Sequence, residues 1–304
     1  LQTTLKSSVR FSGVGLHCGE PAQMTVRPAP AGHGIRFQRF GVDGSVAARW
    51  DKADPTARLC TRLCNEEGVT VSTAEHIMAA LGGCGVHNAV IELDGSEVPI
   101  LDGSSRPFVE GLLAVGLRTL DAPVRVIEVL KPVEVRNGVA VARLEPSDTL
   151  RIEFEIDFAD EAIGHQGKAL SMANGGFVRE LCDSRTFCSV ANVEAMRRDG
   201  FALGGTLENA IVFDGDRVLN PGGLRHKDEA VRHKMLDALG DLTLAGAPLL
   251  AHYSGNRAGH ALTHRLLRAL FADPAAFRFV DCDETRASRL PGVGVSEDDI
   301  PALV

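Results

Sequence analysis

Val-Thr-Val-Ser-Thr-Ala-Glu-His-Ile-Met-Ala-Ala-Leu-Gly-Gly-Cys-Gly-Val-His-Asn-Ala-Val-Ile-Glu-Leu occupies residues 69–93, and its periodicity changes twice. Val69–Val71 is β-branched and strand-like. Ser72-Thr73-Ala74-Glu75 has the spacing of a capping box, in which serine and glutamate satisfy backbone N–H groups at a helix start. A helix over His76–Leu81 follows, and Gly82, Gly83 and Gly85 stop it. His87–Leu93 reads as a strand closed by an Asp94-Gly95 turn.

The flanking sequence extends this pattern. Upstream, Ser8–Gly15, Ala22–Pro28 and Gly34–Phe40 are short β-like runs broken by Gly, Pro and His. Downstream, Pro107–Val115 is an amphipathic helix ended by Gly116. A boundary falls around Arg118–Val124, and beyond it the same order returns. Val124–Val129, Val133–Val135, Val139–Leu144 and Leu150–Phe158 read as strands around an Asn137-Gly138 turn. Helices follow near Phe177–Leu181, Asp228–Leu244 and Gly259–Phe271. No exact repeat is visible. The recurrence of strands, then helices with a strand among them, predicts an α+β protein of two similar domains, 1–120 and 124–283. The tail 284–304, rich in Arg, Ser, Pro, Gly and acids, is expected to be flexible.

Composition narrows the function classes. The chain has 304 residues, with 40 acidic against 32 basic side chains and a net charge of −8. That argues against nucleic acid as a partner, which needs an extended basic face. No apolar run approaches the ~20 residues of a membrane-spanning helix. Leu1 to Phe11 is interrupted by polar residues, and no signal peptide is read there. The seven cysteines, Cys18, Cys60, Cys64, Cys84, Cys182, Cys188 and Cys282, are odd in number and scattered. They read as reduced thiols of a cytoplasmic protein, and the absence of a CxxC pair argues against a four-thiolate zinc site.

Three groups could carry chemistry. On a helix over Glu229–Leu244, His233 and Asp237 share one face, extended a turn further by Asp241. Imidazole and carboxylate one turn apart can grip a metal, and both suit zinc; the ordinary reading of such a stripe is a solvated helix face. Glu75 and His76 stand in the first turn of an apolar helix, whose positive end disfavours imidazolium and leaves His76 neutral for metal binding. Glu75 is either the capping-box acid or a general base beside that metal. His260 and His264, also one turn apart, are as good a zinc pair as His233 and Asp237, or else two surface histidines. Spacing alone does not choose between the pairs. Gly13-x-Gly15 and Gly204-Gly205 form no Walker or Rossmann fingerprint, and no GxSxG elbow is present.

Taken together, the motifs resemble those of the UDP-3-O-acyl-N-acetylglucosamine deacetylase family, zinc amidases of lipid A biosynthesis. The matching segments are Gly13-Val-Gly-Leu-His17, Ser72-Thr-Ala-Glu-His76, Val98-Pro-Ile-Leu-Asp-Gly-Ser104, Ser184-Arg-Thr-Phe187, Leu203-Gly-Gly205, Val218-Leu-Asn220, Val231-Arg-His-Lys-Met-Leu-Asp-Ala-Leu-Gly-Asp241 and Ser254 to Leu262. They keep the family's order over nearly the whole chain. The resemblance implies two β-α-α-β sandwich halves with helices packed between outer sheets. It also implies a small insert near 42–66 and a βαβ insert near 188–213.

It further implies a catalytic zinc on His76, His233 and Asp237, with Glu75 as general base. His260 matches the second catalytic residue, supported by Asp241, and Thr186 supplies a hydroxyl near the oxyanion. Lys234 would face the substrate's diphosphate and Phe158 the uracil. Phe187, Ala202, Gly205 and Val212 would form the acyl passage, with Leu59 and Cys60 on the loop beside the site. The expected reaction removes the N-acetyl group of an acylated UDP-sugar, and the enzyme is expected to be a monomer in transient contact with a membrane-associated lipid pathway. His264, Cys188, Ser189–Asn192 and His87 depart from the family pattern. Two other readings are a zinc amidase for a different N-acyl sugar and a non-catalytic nucleotide-sugar- or lipid-binding relative. Substrates with and without the 3-O-acyl chain separate the first, and acetate release the second.

Overall fold

The computed structural model describes residues 1–302. Its helices are α1 (Glu75–Gly83), α2 (Arg106–Val115), α3 (Gly176–Glu180), α4 (Val190–Arg198), α5 (Glu229–Thr243), α6 (His260–Ala272) and α7 (Glu284–Ala287). With its several sheets this is an α+β protein.

One five-stranded sheet runs in the order Val9–Val14, Pro21–Pro28, Ala89–Leu93, Ile35–Arg39, Ser45–Ala47. Its central strand, Ala89–Leu93, buries alternate residues and lies antiparallel to Pro21–Pro28 and parallel to Ile35–Arg39. A seven-stranded sheet is built from strands between Arg125 and Asp281. Its hub is Leu249–Asn256, which pairs with Arg125–Val129, Ala140–Pro146 and Arg151–Asp157.

Helix α1 packs closely against α5. A Cβ added at Gly240 of α5 would overlap the backbone carbonyl of Glu75 at the head of α1. Glycine there lets the two helix backbones meet, and that contact places residue 75 beside residues 237 and 241. The core is continuous through this joint: Ile77, Met78 and Leu81 of α1 and Met235, Leu236 and Leu239 of α5 are buried in one cluster.

Several expectations are corrected. Ser72 does not cap α1: the N-cap is Ala74, no side chain caps it, and Glu75 is the first helical residue with its carboxylate turned to the Thr61 N–H, so the capping box does not form. Ser254 and Gly255, at the start of the last matching segment, belong to the hub strand. Among the strands that the sequence pattern did not give are three of the seven-stranded sheet. Leu249–Asn256 is buried at its first three residues and alternates only from Ala251 onward. His165–Ser171 is an edge strand with no buried residue, and Phe277–Asp281 is likewise without one. The segment from Glu284 to Ala302, expected to be flexible, carries α7 and packs on the body. Leu290 is buried against Val124, Val126 and Leu250, and Arg179 meets Asp299 at 3.0 Å.

Candidate active site

His76 lies in the first turn of α1, and His233 and Asp237 lie one turn apart on α5. All three are buried, and one ligand atom from each lies within 4.8 Å of the others. Nε2 of His233 is 3.2 Å and Nε2 of His76 3.6 Å from Oδ1 of Asp237. His233 Nδ1 donates to the Ser184 carbonyl at 3.0 Å, which turns its Nε2 toward the cluster. Asp237 Oδ1 is buried with no hydrogen-bond donor. A buried carboxylate oxygen left without a partner is costly. Facing two imidazole nitrogens, it makes a donor set that fits a divalent metal of zinc's preference.

The charges around this cluster are set by burial and by neighbours. Burial opposes ionisation of Asp237, but His233 and Lys234 outweigh it and hold the carboxyl well below its ordinary value. The Lys234 ammonium is 2.6 Å from Asp237 Oδ2. Burial pushes Glu75 up, with Asp237 and Asp241 adding to it and His260 and His76 opposing. For His260, burial disfavours the imidazolium, yet Asp241 and Glu75 prevail and push it up to about 9. His260 Nδ1 donates to Asp241 Oδ2 at 2.8 Å, leaving Nε2 3.6 Å from Glu75 Oε1. A carboxylate pushed up and a histidine pushed up, side by side, are a base and an acid suited to near-neutral pH.

These groups open into a cleft of about 480 Å³. Leu59, Phe158, Thr186, Phe187 and Lys234 line it with Glu75, His76, His233, Asp237 and His260. Phe158 and Phe187 meet edge to face at 5.4 Å. Leu59 stands at the rim, half exposed and at φ 66°, a strained conformation for leucine. Cys60 turns inward, its thiol pushed up to about 12 by burial and then by Glu75, which leaves it no nucleophile. Asp241 lies behind His260 rather than in the cleft.

The structure separates part of the predicted acyl wall from the cleft. Ala202, Gly205 and Val212 do not line it. Val212 is paired within the small sheet that joins Phe187–Ser189 to Ile211–Asp214 in parallel, and the Ala202 N–H donates to His17 Nδ1 at 3.3 Å. Gly205 faces Leu16 and Ala202. Asn192, Ala195 and Met196 of α4, with Phe201, supply that side of the cleft. Sequence reading gave Ala195, Met196 and Phe201 no role and noted Asn192 only within the departing stretch Ser189–Asn192, although Asn192 and Met196 stand one turn apart, a signal of a shared helix face.

His17 also lines the cleft, and Glu97 fixes its loop. The Glu97 carboxylate accepts the backbone N–H groups of His17 and Cys18 and the Thr73 hydroxyl, each at 2.8 Å. His264 does not join the metal cluster; its Nε2 is 3.2 Å from Asp241 Oδ1. A second cavity of about 430 Å³, beside Gly82, Leu239 and Thr243, brings together none of the predicted site residues.

A buried metal-fitting cluster flanked by a base and a charged histidine, at the foot of a half-apolar cleft, defines an enzyme of the metal-assisted hydrolase class. The sequence comparisons then give the family. The profile of UDP-3-O-acyl N-acetylglycosamine deacetylase matches residues 2–272, and the chain belongs to that family. A UDP-3-O-acyl-N-acetylglucosamine deacetylase of Phenylobacterium zucineum is 50% identical over 280 residues, 91% of this chain and 95% of the relative. Proteins of the same description from Idiomarina loihiensis and Acidithiobacillus ferrooxidans are each 44% identical over 291 residues, 94% of this chain and 95% of each relative.

Proposed function

We propose that this chain hydrolyses the N-acetyl group of a UDP-3-O-(3-hydroxyacyl)-N-acetylglucosamine, a step of lipid A biosynthesis, with zinc as its metal. The observation that carries the reading is the unpartnered Asp237 Oδ1 facing His76 and His233, with Glu75 and His260 alongside. Zinc held by His76, His233 and Asp237 would supply a Lewis acid for the amide carbonyl and acidify water.

The chain's own residues account for the rest. Glu75, ionised, takes the proton of the attacking water as oxygen bonds to the acetyl carbon. The Thr186 hydroxyl donates to the developing oxyanion. The C–N bond breaks and the nitrogen must leave as an amine. His260, kept protonated by Asp241, is the nearby proton source, so the products are acetate and the 2-amino nucleotide sugar. Lys234 offers a cation to the diphosphate and Phe158 a ring face to the uracil. The acyl chain runs past Phe187 along the apolar wall of α4.

The site draws His76 from residues 1–120 and His233 and Asp237 from 124–283, which supports a division into two domains meeting at the cleft. Each large sheet takes its strands from one side of that division only. The seven thiols are all free, which supports a reducing, cytoplasmic setting. Among the described residues no helix is long and apolar enough to cross a membrane. The enzyme is proposed to act as a monomer that meets its acylated substrate without spanning a bilayer.

The test combines metal analysis with acetate release. Purified protein should carry about one zinc and release acetate from the acylated substrate much faster than from the analogue lacking the 3-O-acyl chain. Equal rates on both would point to a different N-acyl sugar, and binding without acetate release to a non-catalytic relative.

A further inference from the structure

We propose that Thr61 is a positioning residue that holds the base and the acid of the reaction in one frame. The inference rests on the roles given to Glu75 and His260 above.

Thr61 is fully buried and does not line the cleft. Its backbone is tied to the head of α1: the Thr61 N–H donates to Glu75 Oε2 at 3.0 Å, and its carbonyl accepts the Ala74 N–H at 3.2 Å. Its hydroxyl points the other way. It donates to Asp241 Oδ1 at 2.5 Å and lies 3.3 Å from His260 Nδ1. One residue therefore touches Glu75 through its main chain and the Asp241–His260 pair through its side chain.

The arrangement divides the work of the Asp241 carboxylate. Oδ2 accepts from His260 Nδ1, and Oδ1 accepts from Thr61. A carboxylate bonded through one oxygen alone can swing about its Cβ–Cγ bond and carry the imidazole with it. A second donor on the other oxygen removes that freedom. His264 completes the pocket, with Nε2 3.2 Å from both Asp241 Oδ1 and the Thr61 hydroxyl. The Thr61 hydroxyl hydrogen goes to Asp241, and its lone pairs face the histidines. His260 Nε2 is thereby held 3.6 Å from Glu75 Oε1, the separation across which water and the leaving nitrogen must be served.

Thr61→Val removes the hydroxyl while keeping the shape and the backbone N–H. Losing a hydrogen bond to a charged group should lower kcat roughly ten- to a hundredfold, with KM and bound zinc little changed. Thr61→Ser should recover most of that loss. A kcat for Thr61→Val equal to that of the parent enzyme overturns the proposal, as does a Thr61→Ser enzyme no better than the valine variant. If the valine variant does not fold, Thr61→Ala and Thr61→Ser carry the same comparison, and equal kcat in those two overturns it. The parent enzyme run alongside separates the two readings. Absence of acetate release there counts against the proposed function, whereas normal release with an unaffected valine variant counts against Thr61 alone.

Discussion

At the scale of single residues, Glu75 was open to two readings, and its surroundings exclude the cap. A capping glutamate would tolerate glutamine, which serves a capping box equally well. This glutamate is buried, makes no cap and lies 3.6 Å from His260 Nε2. Glu75→Gln should therefore cut turnover at least ~100-fold with the metal retained. Near-normal turnover in that variant would remove Glu75 from the chemistry. The pH profile follows from the two shifted groups. Glu75 must be ionised and its carboxyl is pushed up, so the acid limb should lie above the ordinary carboxylate range. His260 must be protonated, so activity should fall as pH rises through about 9. Asp241 is what keeps His260 charged, and Asp241→Asn should move the alkaline limb to lower pH. Stability carries the same sign: the Asp241–His260 contribution is full below the ordinary histidine value and is lost as pH rises through about 9. The ligand assignment has its own check, since His233→Ala should strip the metal and His264→Ala should not. The reverse result would transfer the ligand role to the other pair.

Among the elements, the crossing of α1 and α5 and the placing of α4 decide most. Gly240 sits where α5 meets the Glu75 carbonyl, and a methyl there must push the helices apart. Gly240→Ala should destabilise the fold by about 1–3 kcal/mol in denaturant titration, and should cost turnover as well, because it displaces Glu75. Full stability and full activity together would mean that the joint is softer than its packing implies. The selectivity proposed above is tested on α4. Met196 lines the cleft and Val212 lies in the strand behind it. Each methylene of acyl chain buried is worth about 0.8 kcal/mol. Met196→Ala should therefore change the preference for acylated over short-acyl substrate, and Val212→Ala should leave it alone. A larger effect at Val212 would put the chain on the far side of the small sheet.

For the molecule as a whole, the metal cluster and the chain's end act as fasteners. Of the three groups that could hold a metal, His76 stands on α1 and His233 and Asp237 on α5, so a metal bound there would tie the two helices together. Chelation should abolish activity and lower Tm in parallel, and added zinc should restore both, since a ligand that binds only the folded state stabilises it. An unchanged Tm would show that the joint holds without the ion. Leu290, inside the small cluster of Val124, Val126 and Leu250, gives the terminal segment a measurable role. Leu290→Ala should cost about 2–3 kcal/mol on unfolding, as for other buried leucines.

Local chemistry carried a large part of this protein in its sequence. Helix and strand patterns gave α1, α2, α3, α5 and α6, and nine of the nineteen strands among the described residues, to within about two residues. The one-turn spacing of His233 and Asp237 likewise marked a possible ligand pair. What failed was whatever depends on both faces or on distant partners. The hub strand Leu249–Asn256 is buried at its first three residues and alternates only beyond them, and His165–Ser171 buries no residue, being held by its neighbour's hydrogen bonds and by side-chain contacts such as Lys168 to Asp228. The choice between the His233–Asp237 and His260–His264 pairs was likewise beyond spacing, because His76, the third group of the cluster, lies far along the chain from α5 and arrives beside it only through the contact at Gly240. The same holds for Thr61, which has no motif of its own. Periodicity reports the environment of a face, and it is the packing of α1 on α5 that brings residues 61, 75, 76, 237, 241 and 260 within reach of one another.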